Sequence, residues 1–551
     1  MPAVAVLGPI VLPLVAAAAI AIFGLAGMDL GRVATAAGAW ACAAALFLVW
    51  VPVRSSVELQ LGQLGYGSAL DLRVDAVSFA FALMIVLPAA VLLTLQPRAW
   101  PEAAISLLGV AAAVGAVEAG GVVLTAIAGG TAATVAIVLL DTEDPKAQRP
   151  SWALLLSGWL ALSLVGVILQ VGGGTAVYSA VPVATVTSPV FALLATSALL
   201  ASCLFPWRSW SAQLWTRPSL RAAGITVATL FPLGFYLLVR AYELGDGRYP
   251  SGAFNVLLML LGLSSALLAA ARAQAAATRR EFLGELLPGF GGFALAAIAL
   301  GTPLGLVAGI ALLATASAFV ACLALLPDRA GIASLVTVAA AVGLPPGIGF
   351  GARILGIEAT FEAGDFFGLA GVAGAAAWAL WVVAGARAIG LPGGRGHPAS
   401  ETFANIAMLI AALTVVAGPA MALFLSGFAN PVAAEVMQSA AGTLGGGFTS
   451  VVTVSSLLPV ATLFAPLLVI AVAAYLLSNM SAIRTQARPA LFRLAFTGAM
   501  ERARAALRQA AVPEQYRSIL SLGQLEAAAV GGRPVLWLVA LVALGFAVTR
   551  F

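Results

Sequence analysis

Read as a string of apolar and polar positions, the chain alternates long hydrophobic runs with short breaks that carry charge, glycine or proline. The runs fall at about 3–26, 34–52, 74–95, 104–119, 121–140, 152–171, 186–205, 222–242, 251–271, 286–301, 303–326, 331–356, 367–390, 403–427, 455–478 and 534–550. Most are close to the ~20 residues that carry an α-helix across a bilayer. The pattern therefore predicts an all-α polytopic membrane protein with about 15 or 16 transmembrane helices. Short gaps leave the division of 104–140 and of 286–326 ambiguous. Residues 484–530 break the pattern. There Arg484, Arg488, Arg493, Arg502, Arg504 and Arg508 recur among apolar residues, at spacings that suit an amphipathic helix along the membrane surface.

Composition sharpens this reading. Hydrophobic residues make up 62% of the 551 and charged residues only 9%, against about 25% charged in a soluble domain. Hydrocarbon accepts apolar side chains all round a helix and makes ionised ones costly. The 58 glycines suit helices that pack through small residues. Cys42, Cys203 and Cys322 are far apart inside apolar runs, so they spell neither a metal site nor a disulfide framework. No basic region precedes the first run, which is expected to remain as a membrane helix.

Basic residues set the expected orientation. Arg32, Arg98, Lys146, Arg149, Arg208, Arg217, Arg221, Arg272, Arg279, Arg280, Arg329, Arg387 and Arg395 fall on one side, together with 484–533. The other side keeps little more than Arg54, Arg73, Arg248 and Arg550, and holds Glu58, Asp71, Glu118, Asp246, Asp365 and Glu435. The basic side is expected to face the cytoplasm, with the N-terminus outside and the protein in the inner membrane. The net charge of +5 calls for no nucleic-acid partner.

Two runs look interrupted, at Ala201-Ser-Cys-Leu-Phe-Pro-Trp-Arg-Ser209 and Val342-Gly-Leu-Pro-Pro-Gly-Ile-Gly-Phe350. Pro206, Pro345 and Pro346 remove backbone donors. Broken helices survive at membrane depth only where protein or a wet cavity satisfies the freed carbonyls, and paired breaks point to inverted repeats. Two plain helix ends are the other reading of these residues.

Four segments carry a family resemblance. Gly343-Leu-Pro-Pro-Gly-Ile-Gly-Phe-Gly-Ala-Arg353 resembles the second broken helix of the antiporter-like subunits of complex I, Mrp antiporters and membrane-bound hydrogenases. Leu204-Phe-Pro-Trp-Arg-Ser-Trp210 is similar to that family's Leu-Phe-Pro-Leu-His-Thr-Trp, and Gly234-Phe-Tyr-Leu-Leu-Val-Arg240 to its Gly-Gly-Tyr-Leu-Leu-Arg. Leu70-Asp-Leu-Arg-Val-Asp-Ala-Val-Ser78 resembles its early Asp-x-Leu-Ser segment. The closing amphipathic segment resembles the lateral helix of the large distal subunit. The resemblance implies N-terminal helices over 1–100, inverted five-helix repeats over 101–250 and 251–400, additional helices over 401–480, a lateral helix over 481–532 and a last helix over 533–551. It also implies partners: other membrane subunits of a complex-I-like assembly, and a soluble redox or zinc-bearing arm bound indirectly.

Moving protons through a membrane takes groups that gain and lose them, such as buried lysine or glutamate. Carried over position by position, the family's glutamate falls near Ile127–Gly130, its first lysine at about Ala201, its next lysine or histidine at about Pro232, and its later histidine and lysine within Ala314–Ala321. None of these positions is titratable. Only the last retains a charge, Arg353, and arginine does not deprotonate in proteins. The chain's single lysine, Lys146, and single histidine, His397, lie in loops.

The expected function is an antiporter-like subunit that is structural or degenerate. The rivals are an active proton or cation translocator using Arg353, Glu358, Glu362 and Arg240, and a proton-coupling subunit of an inorganic-carbon uptake complex. Glu358 and Glu362 share a helix face and Arg353 comes close to reaching Glu358; a helix end among lipid headgroups is the plainer reading. Arg240 and Glu243 read as interfacial, Glu118 as a turn residue, and Arg279-Arg280-Glu281 with Glu285 as a solvated face. No catalytic, metal-binding or cofactor-binding motif is present.

Overall fold

In the computed structural model, residues 5–437 are described apart from 29–30, 64–68, 97, 144–151, 216, 218–219, 326–331, 346, 390, 392–400 and 419. The expected lateral helix and last two apolar runs lie outside the described residues, as do Pro346, Lys146 and His397.

The long apolar runs form helices in the expected order: α1 Gly8–Leu25 and α2 Gly31–Val53, then a hairpin of β1 Val57–Gln63 and β2 Ala69–Val74, then α3 Ala76–Leu95, α4 Trp100–Val117, α5 Val122–Glu143 and α6 Trp152–Gly173. Next come α7 Ser188–Ala201, α8 Ser209–Leu214, α9 Arg221–Leu244, α10 Gly252–Ala275, α11 Arg279–Ala299 and α12 Pro303–Leu325. The last are α13 Ile332–Ala341, α14 Ile348–Glu362, α15 Asp365–Ile389, α16 Glu401–Val416, α17 Met421–Phe424 and α18 Asn430–Val436. Eleven are long and apolar enough to cross a membrane. The ambiguous pairs divide cleanly, at 118–121 and at 300–302. Leu48, Leu160, Val171 and Leu369 are more than two-thirds exposed, which suits a lipid-facing surface.

Both interruptions are real breaks. α7 stops at Ala201 and α8 resumes at Ser209; α13 stops at Ala341 and α14 resumes at Ile348. One expected run behaves differently. Residues 403–427 do not make one straight helix, because the segments Thr402–Val416 and Met421–Val436 meet at 94°. Ala417-Gly-Pro419 explains the stop, since proline cannot supply the next helical donor. A π-helical turn at Leu425–Ala429 then leads into α18, which carries Glu435 back to the N-terminal half.

The hairpin is the element that the sequence reading missed. It pairs Val57 with Val74 and Leu59 with Leu72, antiparallel. At the centre of the bundle, α9 is buried from Ala222 to Leu244, and α11 is nearly as enclosed. Glycines let these helices approach closely. A Cβ on Gly234 would stand 2.5 Å from the Ser202 nitrogen in the first break. On α10 and α11, Gly262 and Gly292 meet backbone to backbone: a Cβ on Gly262 would stand 2.7 Å from the Gly292 oxygen, and one on Gly292 2.6 Å from the Gly262 oxygen.

Candidate functional site

Charge is concentrated at the two ends of α9. At one end, β2 delivers Arg73 and then Asp75, the N-cap of α3. The Asp75 side chain accepts from the Ser78 N–H and the Asp75 N–H donates to Ser78 Oγ, a reciprocal cap. From α9, Arg240 donates from Nη2 to Asp75 Oδ1 and from Nη1 to Oδ2, both at 2.9 Å. Its Nη1 also binds Glu243, its Nε donates to the Tyr236 hydroxyl at 3.0 Å, and its guanidinium lies over the rings of Tyr236 and Tyr178. Arg73 pairs with Asp75 at 2.9 Å, with Glu435 of α18 at 2.8 Å and with Glu243 at 3.4 Å. Arg240 and Glu243 are thus buried network members and not side chains exposed at a helix end.

Burial works against the charge on Asp75, but Arg240 and Arg73 overcome it, so the carboxyl is lowered to about 2. Burial likewise opposes the Arg73 charge, and Asp75, Glu243 and Glu435 outweigh it despite repulsion from Arg240, leaving Arg73 raised. One oxygen from each of Asp75, Glu243 and Glu435 lies within 4.8 Å of the others, near enough to share a cation. Arg73 and Arg240 already engage all three, two cations against three carboxylates, which leaves a formal excess of one negative charge.

At the other end, Arg208 from the first break donates to both oxygens of Glu285 at 2.5 Å. Arg98 donates to the Arg221 carbonyl at 2.7 Å, Arg280 to the Arg217 carbonyl at 3.0 Å, and Arg279 to Ser334 Oγ and the Leu391 carbonyl. Arg279 is only 2% exposed and Glu285 8%. Arg279 and Glu285 thus belong to a buried polar seam, whereas Arg280 is half-buried and Glu281 lies on the expected solvated face.

The breaks are satisfied by protein groups. Trp210 Nε1 donates to the Ser202 carbonyl in the first, and Trp378 Nε1 to the Val342 carbonyl in the second. In the second break Arg353 donates to the Ala341 and Gly349 carbonyls at 3.1 and 3.0 Å. Its guanidinium sits over the rings of Phe290, Phe293 and Trp378, at 4.6, 5.6 and 5.8 Å. Gly343, at φ +76°, leaves no room for a Cβ beside that guanidinium. Among the described residues Arg353 pairs with no carboxylate. Glu358 is partly buried and Glu362 exposed; the two acids lie near each other, as their spacing suggests, but neither pairs with Arg353. Pro206 and Pro345 sit in the breaks, where the sequence placed them.

The positions where the family resemblance puts titratable groups are filled by packing. Gly129 lies so close under the Trp159 ring that no Cβ fits between them, and a Cβ on Gly130 would touch Trp159 at 3.7 Å. Ala201 and Pro232 are buried, and Thr315 and Ser317 are the only polar side chains in 314–321.

The sequence reading missed the partnership of Asp75 with Arg240, although it had singled out both segments. The Asp-x-x-Ser pattern before an apolar run was the available signal for the Asp75 cap. It placed Glu118 correctly at a turn and missed its complete burial.

These elements define a polytopic helical membrane protein with two interrupted spans packed around a wholly buried central helix. Solved chains share the architecture. One from the Mrp complex of Dietzia sp. DQ12-45-1b superposes with a TM-score of 0.72 at 20% identity, over 98% of this chain and 62% of that one. A chain of respiratory complex I from Thermus thermophilus gives 0.64 at 22% identity, covering 81% of this chain and 100% of that one. A chain of the membrane-bound sulfane sulfur reductase, an archaeal respiratory membrane complex, gives 0.63 at 18% identity over 75% of each. At these identities the likeness establishes the fold. No family model matches the sequence, and no curated protein matches it.

Proposed function

We propose that the chain is an antiporter-like membrane subunit of a complex-I-like or Mrp-like assembly that has no continuous proton path along the family's positions and serves to hold neighbouring subunits in place. The observation that carries this reading is the filling of those positions by Gly129 and Gly130 beneath Trp159, by Ala201, by Pro232 and by the hydroxyls of Thr315 and Ser317. Arg353 keeps a fixed charge, and its Nη1 and Nη2 donate to the Gly349 and Ala341 carbonyls. The likeness to chains of multisubunit complexes supports membrane partners, with a soluble arm attached through them. The basic side faces the cytoplasm of the cell's inner membrane, and the N-terminus lies outside.

Two measurements on the full chain test this. Mild-detergent purification with mass spectrometry of what accompanies it is expected to recover other membrane subunits. Reconstitution alone into liposomes under a pH gradient is expected to give leak no faster than protein-free vesicles. A stable lone protein that dissipates the gradient would make it a transporter in its own right.

A further inference from the structure

Asp75 and Glu118 are both completely shielded from solvent, at 0% exposure, and their surroundings are opposite. Asp75 has two arginines and a helix cap. Among the described residues, neither oxygen of Glu118 has a hydrogen-bond partner. A carboxylate stripped of water and given nothing in return is among the costliest arrangements a protein can hold, whereas the neutral acid is tolerable.

The side chain is also held in place. Glu118 ends α4, its N–H donates to the Val114 carbonyl, and its carbonyl accepts from the Arg73 N–H at 2.7 Å. The next residues are stitched on both sides: Gly120 N–H donates to the Asp71 carbonyl, Val122 N–H to the Ala176 carbonyl, and Tyr178 N–H to the Gly120 carbonyl. Cβ atoms on Gly120 and Gly121 would stand 2.9 Å from Asp71 Cβ and from the Ala176 carbonyl oxygen. The turn is clamped between the hairpin and residues 176–178, so the acid cannot swing out to water.

Among the described residues, no neighbouring element supplies a counter-charge. α1 and α3 carry no titratable side chain. α2 offers Cys42, whose thiol donates to the Pro9 carbonyl, and carries Arg32 at its start. α5 has Asp141 and Glu143 at its far end. α9 brings Tyr236, Arg240, Tyr242 and Glu243 to this end, with Arg221 at the other. Tyr236 donates to the Val117 carbonyl, Tyr242 to the Gly301 carbonyl, and Arg240 and Glu243 are taken by the Asp75 cluster. Arg73 and Asp71 of β2 reach the turn through backbone bonds, and Tyr178 donates to Thr125.

We infer that Glu118 is a proton-binding site of the membrane domain, a carboxylic acid that keeps its proton at neutral pH in a dry pocket at the turn between α4 and α5. Burial alone raises its affinity for the proton well above that of an ordinary glutamate. The site lies outside the family's positions, and the inference stands whether or not the chain conducts protons.

Infrared titration of the full chain in lipid nanodiscs, wild type minus Glu118→Gln, tests the inference. The expected result is a free-acid carbonyl band at neutral pH that is missing from the variant and gives way to carboxylate bands only in strong alkali. A difference confined to carboxylate bands at neutral pH would overturn it. Should the variant fail to assemble, the wild-type chain alone decides: its free-acid band at neutral pH is expected to shift only slowly on transfer to D2O, as a proton held in a dry, clamped pocket requires, and the lack of any slowly exchanging free-acid band would overturn the site. Proton flux in liposomes that Glu118→Gln abolishes would leave this inference standing and overturn the non-conducting reading.

Discussion

Both terminal nitrogens of Arg240 reach the Asp75 carboxylate at 2.9 Å across 165 residues of chain. The pair ties the start of α3 to the last turns of α9, where each is fully enclosed. Replacing a buried ion pair by apolar groups is often neutral, while removing one member strands the other. Asp75→Asn or Arg240→Met is therefore expected to cost about 3–5 kcal/mol. The double variant should cost less than the sum, because removing both members leaves neither one stranded. Detergent-phase thermal unfolding of the four proteins checks this, and strict additivity would contradict the coupling.

The two enclosed acids respond to pH in opposite directions. The folded state lowers Asp75 from 3.8 to about 2, so its contribution is complete above about 4 and drains away as pH falls toward 2. That contribution is on the order of 2 kcal/mol. Glu118 is raised by burial above the ordinary 4.5, so its contribution is complete below about 4.5 and is lost progressively as pH rises from there toward its folded value. Asp75→Asn should remove the fall in stability at low pH, and Glu118→Gln the decline that sets in as pH rises above about 4.5.

The helical pattern was legible because hydrocarbon imposes a simple rule on every residue of a spanning run. What was illegible arises from contacts made at long range. Nothing near Glu118 in sequence announces that Asp71 and Ala176 will cover its turn. The hairpin did leave a trace, since Ala69-Leu-Asp-Leu-Arg-Val74 alternates with a period of two, but it sits between two apolar runs where a polar loop satisfies the pattern equally well. Arg240 followed an apolar run and looked like a helix end, and only the fold brings Asp75, Glu243 and Tyr236 around it.

Restoring a glutamate on α5 should fail by itself. Gly129→Glu would drive a side chain into the Trp159 ring, and overpacking of that kind costs about 1–3 kcal/mol. Pairing it with Trp159→Ala should recover yield and thermal stability without producing proton flux, because Ala201 and Pro232 still interrupt the path. Flux from the double variant in liposomes would show that a route exists elsewhere.

Arg353 offers a sharper separation of structure from transport. Arg353→Met leaves the Ala341 carbonyl without its donor and should destabilise the second break by about 1–3 kcal/mol. Proton leak in liposomes should not change. A loss of ion movement at unchanged stability would instead assign the guanidinium a transport role.

The glycine contact between α10 and α11 limits how this subunit deforms. With Gly262 and Gly292 touching backbone to backbone, the two helices have no compliant layer of side chains over which to shear. Mechanical force entering one is passed to the other as in a riveted joint. Displacement within the second half then has to be taken up outside this pair of helices.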